Sequence, residues 1–229
     1  MGNGRDAYRE FHQRRHRTLL ELLRAYVPQR RLRGLDVGGG GDIGGLAGEV
    51  REQLVEEWHA VDLGDDVERG QRQGVQAVAC DIDCEPLPYP DGNFDLVLFA
   101  SVIEHLYNPH HAVREVARVL KPEGVLILEA PNAVALGRRI DAVLGKNSFR
   151  WFNQYNALQD KAFMKFCAVF YTAEEIRALL SPYFMVLEQR YGMHDPPAGR
   201  VKRRLREIVF RLNPRLGDCF FIVAKRQPV

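Results

Sequence analysis

The sequence predicts an α/β domain built on a doubly wound, mostly parallel sheet, and three observations carry that expectation. Short apolar stretches alternate with helical patterns up to about position 130; the first stretch runs straight into "LDVGGGGDIGG" at 35–45; and "FDLVLFAS" at 94–101 is almost continuously apolar, as in a strand buried on both faces. At 229 residues, 46% hydrophobic and 27% charged, the chain is long enough for one substantial core, so 1–229 is read as a single domain.

Each element has its own signal. From Tyr8 through Phe11, Leu19, Leu22, Leu23 and Tyr26 apolar residues recur mostly at helical spacing and Pro28 ends the pattern, which predicts an amphipathic helix within 1–30. Strands are predicted at 33–37, 57–63, 75–82, 94–101 and 124–130. Between the fourth and fifth, "HHAVREVARVL" places Val113, Val116, Ala117 and Leu120 on one helical face, and "KPEG" closes that helix with turn residues. The link "LGDDVERGQRQG" after Asp62 is short for a full crossover helix, so thin cover is expected on that side of the sheet. Strand, helix and strand in repeated order imply parallel strands joined by right-handed crossovers.

Composition narrows the setting. A net charge of +2 and a pI of about 8.4 are too near balance to point to nucleic acid. The N-terminus is charged where a signal peptide is apolar, and no uninterrupted apolar run approaches the roughly 18 residues of a membrane span, so a cytoplasmic location is expected. Cys80, Cys84, Cys167 and Cys219 show neither the density nor the spacing of a disulfide framework; free thiols are expected. No second Cys/His pair at ligand spacing accompanies Cys80 and Cys84, so no metal is expected.

In such sheets a ligand lies outside the carboxyl ends of the strands, against the first strand–helix turn, where glycine permits positive φ and close backbone approach. Asp62, at the end of the second strand, can accept hydrogen bonds from both hydroxyls of a ribose, and with the glycines it reads as nucleoside recognition. No Gly-Lys-Ser/Thr follows the turn, which excludes a P-loop. Gly39, Gly41 and Gly44 form a G-x-G-x-x-G match that starts one residue late relative to the strand end, so a NAD-dependent oxidoreductase stays open on this motif alone.

The stretch "VACDIDCEPLPYPDGNFDLVLFASVIEHLYNPHHAVREVARVLKPEGVLILEAPN" closely resembles class I S-adenosylmethionine-dependent methyltransferases, particularly the small-molecule group called type 11 or 12. With "LDVGGGG" and Asp62 the resemblance covers about 33–132, and "FYTAEEIRALL" and "CFFIVAKR" extend it to the end. It implies a Rossmann-like sheet with an antiparallel last strand: helix in 1–30, cofactor core in 31–132, lid insertion in 133–170, and the remainder of the sheet in 171–229. It also implies S-adenosylmethionine as cofactor, with Asp36, Gly38 and Gly40 along its methionine part and Asp62 at its ribose. Asp81 and Ile82 then meet the adenine edge and face, and Ala100 and Ser101 floor the pocket near the sulfonium. Asp42 stands where the family usually has a third glycine, which implies a locally shifted turn.

The reaction expected is methyl transfer to an oxygen or nitrogen of a small molecule. His105, just past the fourth strand, is the candidate base or acceptor-orienting residue; the competing role is a brace for its loop. The other functional classes are a non-catalytic or regulatory cofactor-binding module of the same fold and the oxidoreductase. Residues 133–170 carry eight aromatic or Met side chains, including Trp151, Phe152 and Tyr155, expected with Asn132 to line the acceptor site; the other reading is a helical subdomain burying its own rings. In the helix predicted at 199–213, Val201, Leu205, Ile208, Val209 and Leu212 share a face amid Lys202, Arg203, Arg204, Arg206 and Arg211. Such a helix either lies on an anionic membrane or meets a lipid-linked substrate, or it packs that face on its own domain. The oligomeric state and the acceptor have no sequence signal.

Overall fold

A computed structural model of the chain describes residues 3–27, 32–39, 56–63, 65–72, 75–146, 169–194 and 200–228. The elements are α1 (Asn3–Tyr26), β1 (Arg33–Val37), β2 (Glu57–Asp62), α2 (Asp65–Arg72), β3 (Gln76–Ala79), β4 (Phe94–Ala100), a 3-10 turn (Ile103–His105), α3 (Pro109–Val119), β5 (Leu120–Pro131), α4 (Leu136–Val143), α5 (Ala173–Leu180), β6 (Phe184–Gly192), α6 (Arg200–Leu212), a second 3-10 turn (Pro214–Leu216) and β7 (Cys219–Arg226). They form one sheet in the order β3-β2-β1-β4-β5-β7-β6. The strands β1 to β5 pair in parallel, and β7 runs antiparallel between β5 and β6. Strand order therefore reverses beside β1, and the crevice between the carboxyl ends of β1 and β4 is the place such a sheet offers a ligand.

The alternation along β4 divides the core. Phe94, Val97 and Phe99 pack with Leu35 and Val37 under α3 and α5, whose Val113, Val116, Ile176 and Leu180 are buried. Leu96 and Leu98 face the other way, with Trp58, Ala60 and Phe221, under Leu19, Leu22 and Leu23 of α1 and Val67 of α2. Two helices begin on local caps: Asn108 accepts from the His111 N–H ahead of Pro109, and Thr172 and Glu175 form a reciprocal capping box.

Several boundaries differ from those expected. The link after Asp62 does fold as a helix, the two-turn α2, whose Val67 closes on Val75 and Ala77. Its cover is partial, since Val78 on the opposite face of β3 is exposed. The segment "KPEG" does not terminate α3 as a turn: Leu120 already pairs with Phe94, and the register then shifts before Leu96 meets Val125, with Glu123 at φ 68. One irregular strand thus replaces the expected turn and strand, because Leu120 gains the core through sheet pairing as well as it would on the helix.

Phe99 lies at the centre of the sheet with no exposure. Phe99→Ala is expected to destabilise the fold by about 3–5 kcal/mol, read from the midpoint shift in urea unfolding.

Candidate active site

The turn after β1 is shaped by two contacts that tolerate no side chain. Gly38 takes φ 78, and a Cβ on it would collide with the side chain of Val102 just past β4; a Cβ on Gly39 would collide with the carboxylate of Asp36. The Gly38 N–H donates to the Val61 carbonyl at 2.7 Å, which ties the turn to β2. Asp36 is buried, and its Oδ1 has no hydrogen-bond partner among the described residues. Burial pushes its carboxyl well above the usual carboxylate range against the opposing charge of Arg15, with Asp62 adding to the rise.

The other predicted cofactor residues lie around this turn. Asp62 ends β2, half-exposed, with Oδ1 accepting the Leu63 N–H at 2.7 Å. Asp81 follows β3 in a tight turn: its Oδ1 accepts the Asp83 N–H at 3.1 Å, and its own N–H donates to Glu85 Oε2 at 2.9 Å. Ile82 is buried in the same core layer as Phe99. Ala100 is buried at the end of β4, and Ser101 takes φ 55, a left-handed conformation that a non-glycine residue holds only when its surroundings enforce it. Gly40, Asp42, Trp151, Phe152 and Tyr155 lie outside the described residues.

What enforces the Ser101 conformation is a polar cluster the sequence did not single out. Arg15 of α1 donates through Nη1 to Ser101 Oγ at 3.0 Å, Ser101 Oγ donates to Glu129 Oε2 at 2.7 Å, and Arg15 Nε stands 3.6 Å from the same carboxylate. All the carboxylate and guanidinium groups involved are buried. Glu104 joins them from the turn after β4: burial, and then the charge of Glu129, push its carboxyl up to about 8, and its Oε2 has no hydrogen-bond partner among the described residues. The sequence held a signal for Arg15, which sits four residues before Leu19 and seven before Leu22, on the stripe of α1 that is buried.

His105 is partly exposed, with Nε2 3.9 Å from Glu104 Oε1. Asn132 corrects the expectation of an acceptor-facing side chain: it is fully buried, its Nδ2 donates to the Arg215 and Gly217 carbonyls at 2.9 and 2.8 Å, and its Oδ1 accepts the Val134 N–H. With both amide hydrogens committed, it braces the turn after β5 against the entry to β7. The chain returns to the site where the Val169 N–H donates to the Glu104 carbonyl, and Arg138 of α4 covers the ring of Phe170 at 4.0 Å. On the α1 side, His194 is pushed down to about 4 by burial and the nearby arginines, so it is neutral; its Nδ1 meets Cys219 Sγ at 3.3 Å. Asp218 beside it already accepts from the His194 N–H and from Arg206.

The chain is similar to known proteins in sequence and in fold. The methyltransferase-domain family Methyltransf_11 matches residues 35–128. The ubiquinone/menaquinone biosynthesis C-methyltransferase UbiE of Azotobacter vinelandii is 35% identical over 120 residues, 47% of this chain and 47% of that protein, so the chain spans about half the length of this curated relative. Among solved structures, a methyltransferase in complex with the Haloferax volcanii Trm112 methyltransferase activator has a TM-score of 0.70 at 18% identity, covering 99% of this chain and 95% of that one. The N-methyltransferase NodS of Bradyrhizobium japonicum, in complex with S-adenosyl-L-homocysteine, has a TM-score of 0.59 at 18% identity, covering 96% and 88%. The likenesses favour the methyltransferase over the oxidoreductase and the regulatory module. Motif order, strand order and relatives point the same way: residues 35–128 match the methyltransferase-domain family, and the chain is similar to S-adenosylmethionine-dependent methyltransferases.

Proposed function

We propose that this chain binds S-adenosylmethionine in the crevice between β1 and β4 and methylates an oxygen or nitrogen of a small-molecule acceptor. The observation that carries the reading is the bare-backbone turn at Gly38 and Gly39, packed against Asp36 and Val102 at the reversal of strand order. The residues present fit the cofactor: Asp36 Oδ1 is a buried polar atom without a partner among the described residues, and Asp62 stands one strand away for a ribose. When bound, S-adenosylmethionine supplies a methyl group already activated by its sulfonium.

The chain's own work is then binding, alignment and proton handling. Asp36, Gly38 and Gly40 line the methionine part, Asp62 holds the ribose, Asp81 and Ile82 meet the adenine, and Ala100 and Ser101 floor the pocket. Most of the rate then comes from holding an acceptor in line and close, in a place with little water. His105, with Nε2 3.9 Å from Glu104 Oε1, is the candidate to take a proton from the acceptor. The lid expected in 133–170 falls mostly outside the described residues; where the chain is described again, the Val169 N–H donates to the Glu104 carbonyl. The UbiE relative is named as a C-methyltransferase, so a carbon acceptor is the outcome that would redirect the assay.

A second reading concerns α6 and a lipid surface. Among the described residues no helix is long and apolar enough to cross a membrane. Yet the apolar stripe of α6 does not pack fully on its own domain: Leu205, Ile208 and Leu212 are 57%, 54% and 81% exposed, beside the exposed Arg204 and Arg211. Among its described residues Val209 and Phe210 turn inward, with Arg206, toward Leu136 and Leu216. An exposed apolar ridge edged by arginine suits an anionic bilayer or a lipid-linked acceptor.

Calorimetric titration with S-adenosylhomocysteine is expected to show micromolar binding, weakened at least tenfold by Asp62→Ala, with no heat from NAD; heat from NAD alone would overturn the reading. Glu104 has a folded pKa of about 8 against 4.5 when solvated, so the stability it carries is complete below pH 4.5 and is lost as pH rises through 8. Glu104→Gln is therefore expected to unfold like the parent near pH 4.5 and to be more stable by about 2–4 kcal/mol at pH 8 in urea titrations. For the lipid reading, flotation with phosphatidylglycerol vesicles at low salt is expected to carry the protein, and Leu205→Glu with Ile208→Glu to release it; no flotation of the parent protein ends it.

A further inference from the structure

The helix α4 lacks the burial that normally holds a helix in place. It spans only two turns, Leu136–Val143, and none of its residues is buried. Ile140, Val143 and the capping residue Leu144 are 49%, 87% and 59% exposed, and their spacing of three and four residues sets them on one side of the helix. A helix this short is marginal in water, and helices in proteins are held chiefly by packing an apolar face. The ties that α4 does have lie in its first turn. Arg138 covers the ring of Phe170, Arg139 Nε donates to the Val134 carbonyl at 2.9 Å, and Leu136 lines one small cavity with Val209 and Phe210 of α6. The later turn, with Val143 and Leu144, stays in water.

Through that cavity α4 adjoins α6, whose Leu205, Ile208 and Leu212 are exposed as well, so two neighbouring helices leave six large apolar side chains uncovered. The charges beside them are mostly of one sign. Within 136–146 and 204–212, Arg139, Lys146, Arg204 and Arg211 are exposed, against one exposed acid, Glu207. In sequence, 136–146 and 200–212 together hold nine Lys and Arg and two Asp and Glu, although the whole chain carries only +2. This distribution decides between partners. A second copy would set like charges against each other around the apolar contact, which is unfavourable. A bilayer with anionic headgroups answers both features: its acyl region takes up Leu, Ile and Val without a matching shape, and its headgroups attract the basic rim. On the lipid reading of α6, on which this step rests, we propose that α4 is a second part of the same surface. The two helices dock together on an anionic bilayer, and α4 gains there the burial that its own domain does not supply.

The experiment is flotation of the full chain with phosphatidylglycerol or phosphatidylcholine vesicles at low salt, set beside the double variant Val143→Glu/Leu144→Glu. The parent protein is expected to float with phosphatidylglycerol only. The variant's partition coefficient is expected to fall by about tenfold or more, because two buried apolar contacts are lost and two repelled charges gained. Its thermal unfolding is expected to stay unchanged, since both side chains are exposed. Met185→Glu/Leu187→Glu, which adds the same charge at exposed positions of β6, is expected to float like the parent. An α4 variant that floats like the parent, an equal loss in the β6 variant, or equal flotation of the parent with phosphatidylcholine would each overturn the proposal. If Leu205→Glu with Ile208→Glu releases the protein and the α4 variant does not, the lipid reading of α6 stands without α4. A parent protein that does not float overturns that reading, and this step with it. A dimer seen by sedimentation and dissolved by the α4 variant would assign the surface to a second copy, which also overturns the proposal.

Discussion

The structure depends on a central strand with no face for water. Along β4, Leu96 and Leu98 close one layer and Phe94, Val97 and Phe99 the other, so α3 and α5 on one side and α1 and α2 on the other are all held by burial against the same sheet. A strand of this kind leaves polar chemistry only at its ends. The consequence is visible at its carboxyl end, where Ser101, Glu104 and His105 follow within five residues, Ser101 bonded to Glu129 of β5 and Glu104 feeling its charge. The antiparallel β7, fully buried from Cys219 to Ala224, completes the apolar wall beyond β5 and forces Asn132 into its role as a strut.

The site is electrostatically short of solvent. Three carboxyl groups and one guanidinium share a buried space, and the ionised forms of all three acids could not be held there by one arginine. Protonation of Glu104 relieves that conflict in the free protein. The strain at Ser101 belongs to the same arrangement, because its left-handed backbone lets one hydroxyl accept from Arg15 and donate to Glu129.

The outer surface divides along similar lines. Near the site, α4 and α6 meet through Leu136, Val209 and Phe210, while the far stripe of α6 stays in solvent. The sheet edge at β3 is short and carries an exposed Val78, whereas the opposite edge at β6 is braced by ion pairs of Arg190 with Glu21 and Glu188.

Local pattern was enough to determine the strands at 33–37 and 94–100, the helices α1 and α3, the turn at Gly38 and the alignment of Asp36 and Asp62 at strand ends, since periodicity and glycine placement are properties of neighbours along the chain. The resemblance to methyltransferases was legible for the same reason, its motifs being contiguous. Tertiary structure alone decided what depends on partners far apart in sequence: that Arg15 meets residues 101 and 129, that Glu104 is buried beside a second acid, that Asn132 spends its amide on 215 and 217, and that Leu205 and Ile208 are left in solvent. A charged residue in a helical stripe reads as a surface residue until the fold shows which face it shares, because burial and pairing are set by the sheet that closes over it and not by its neighbours in the chain.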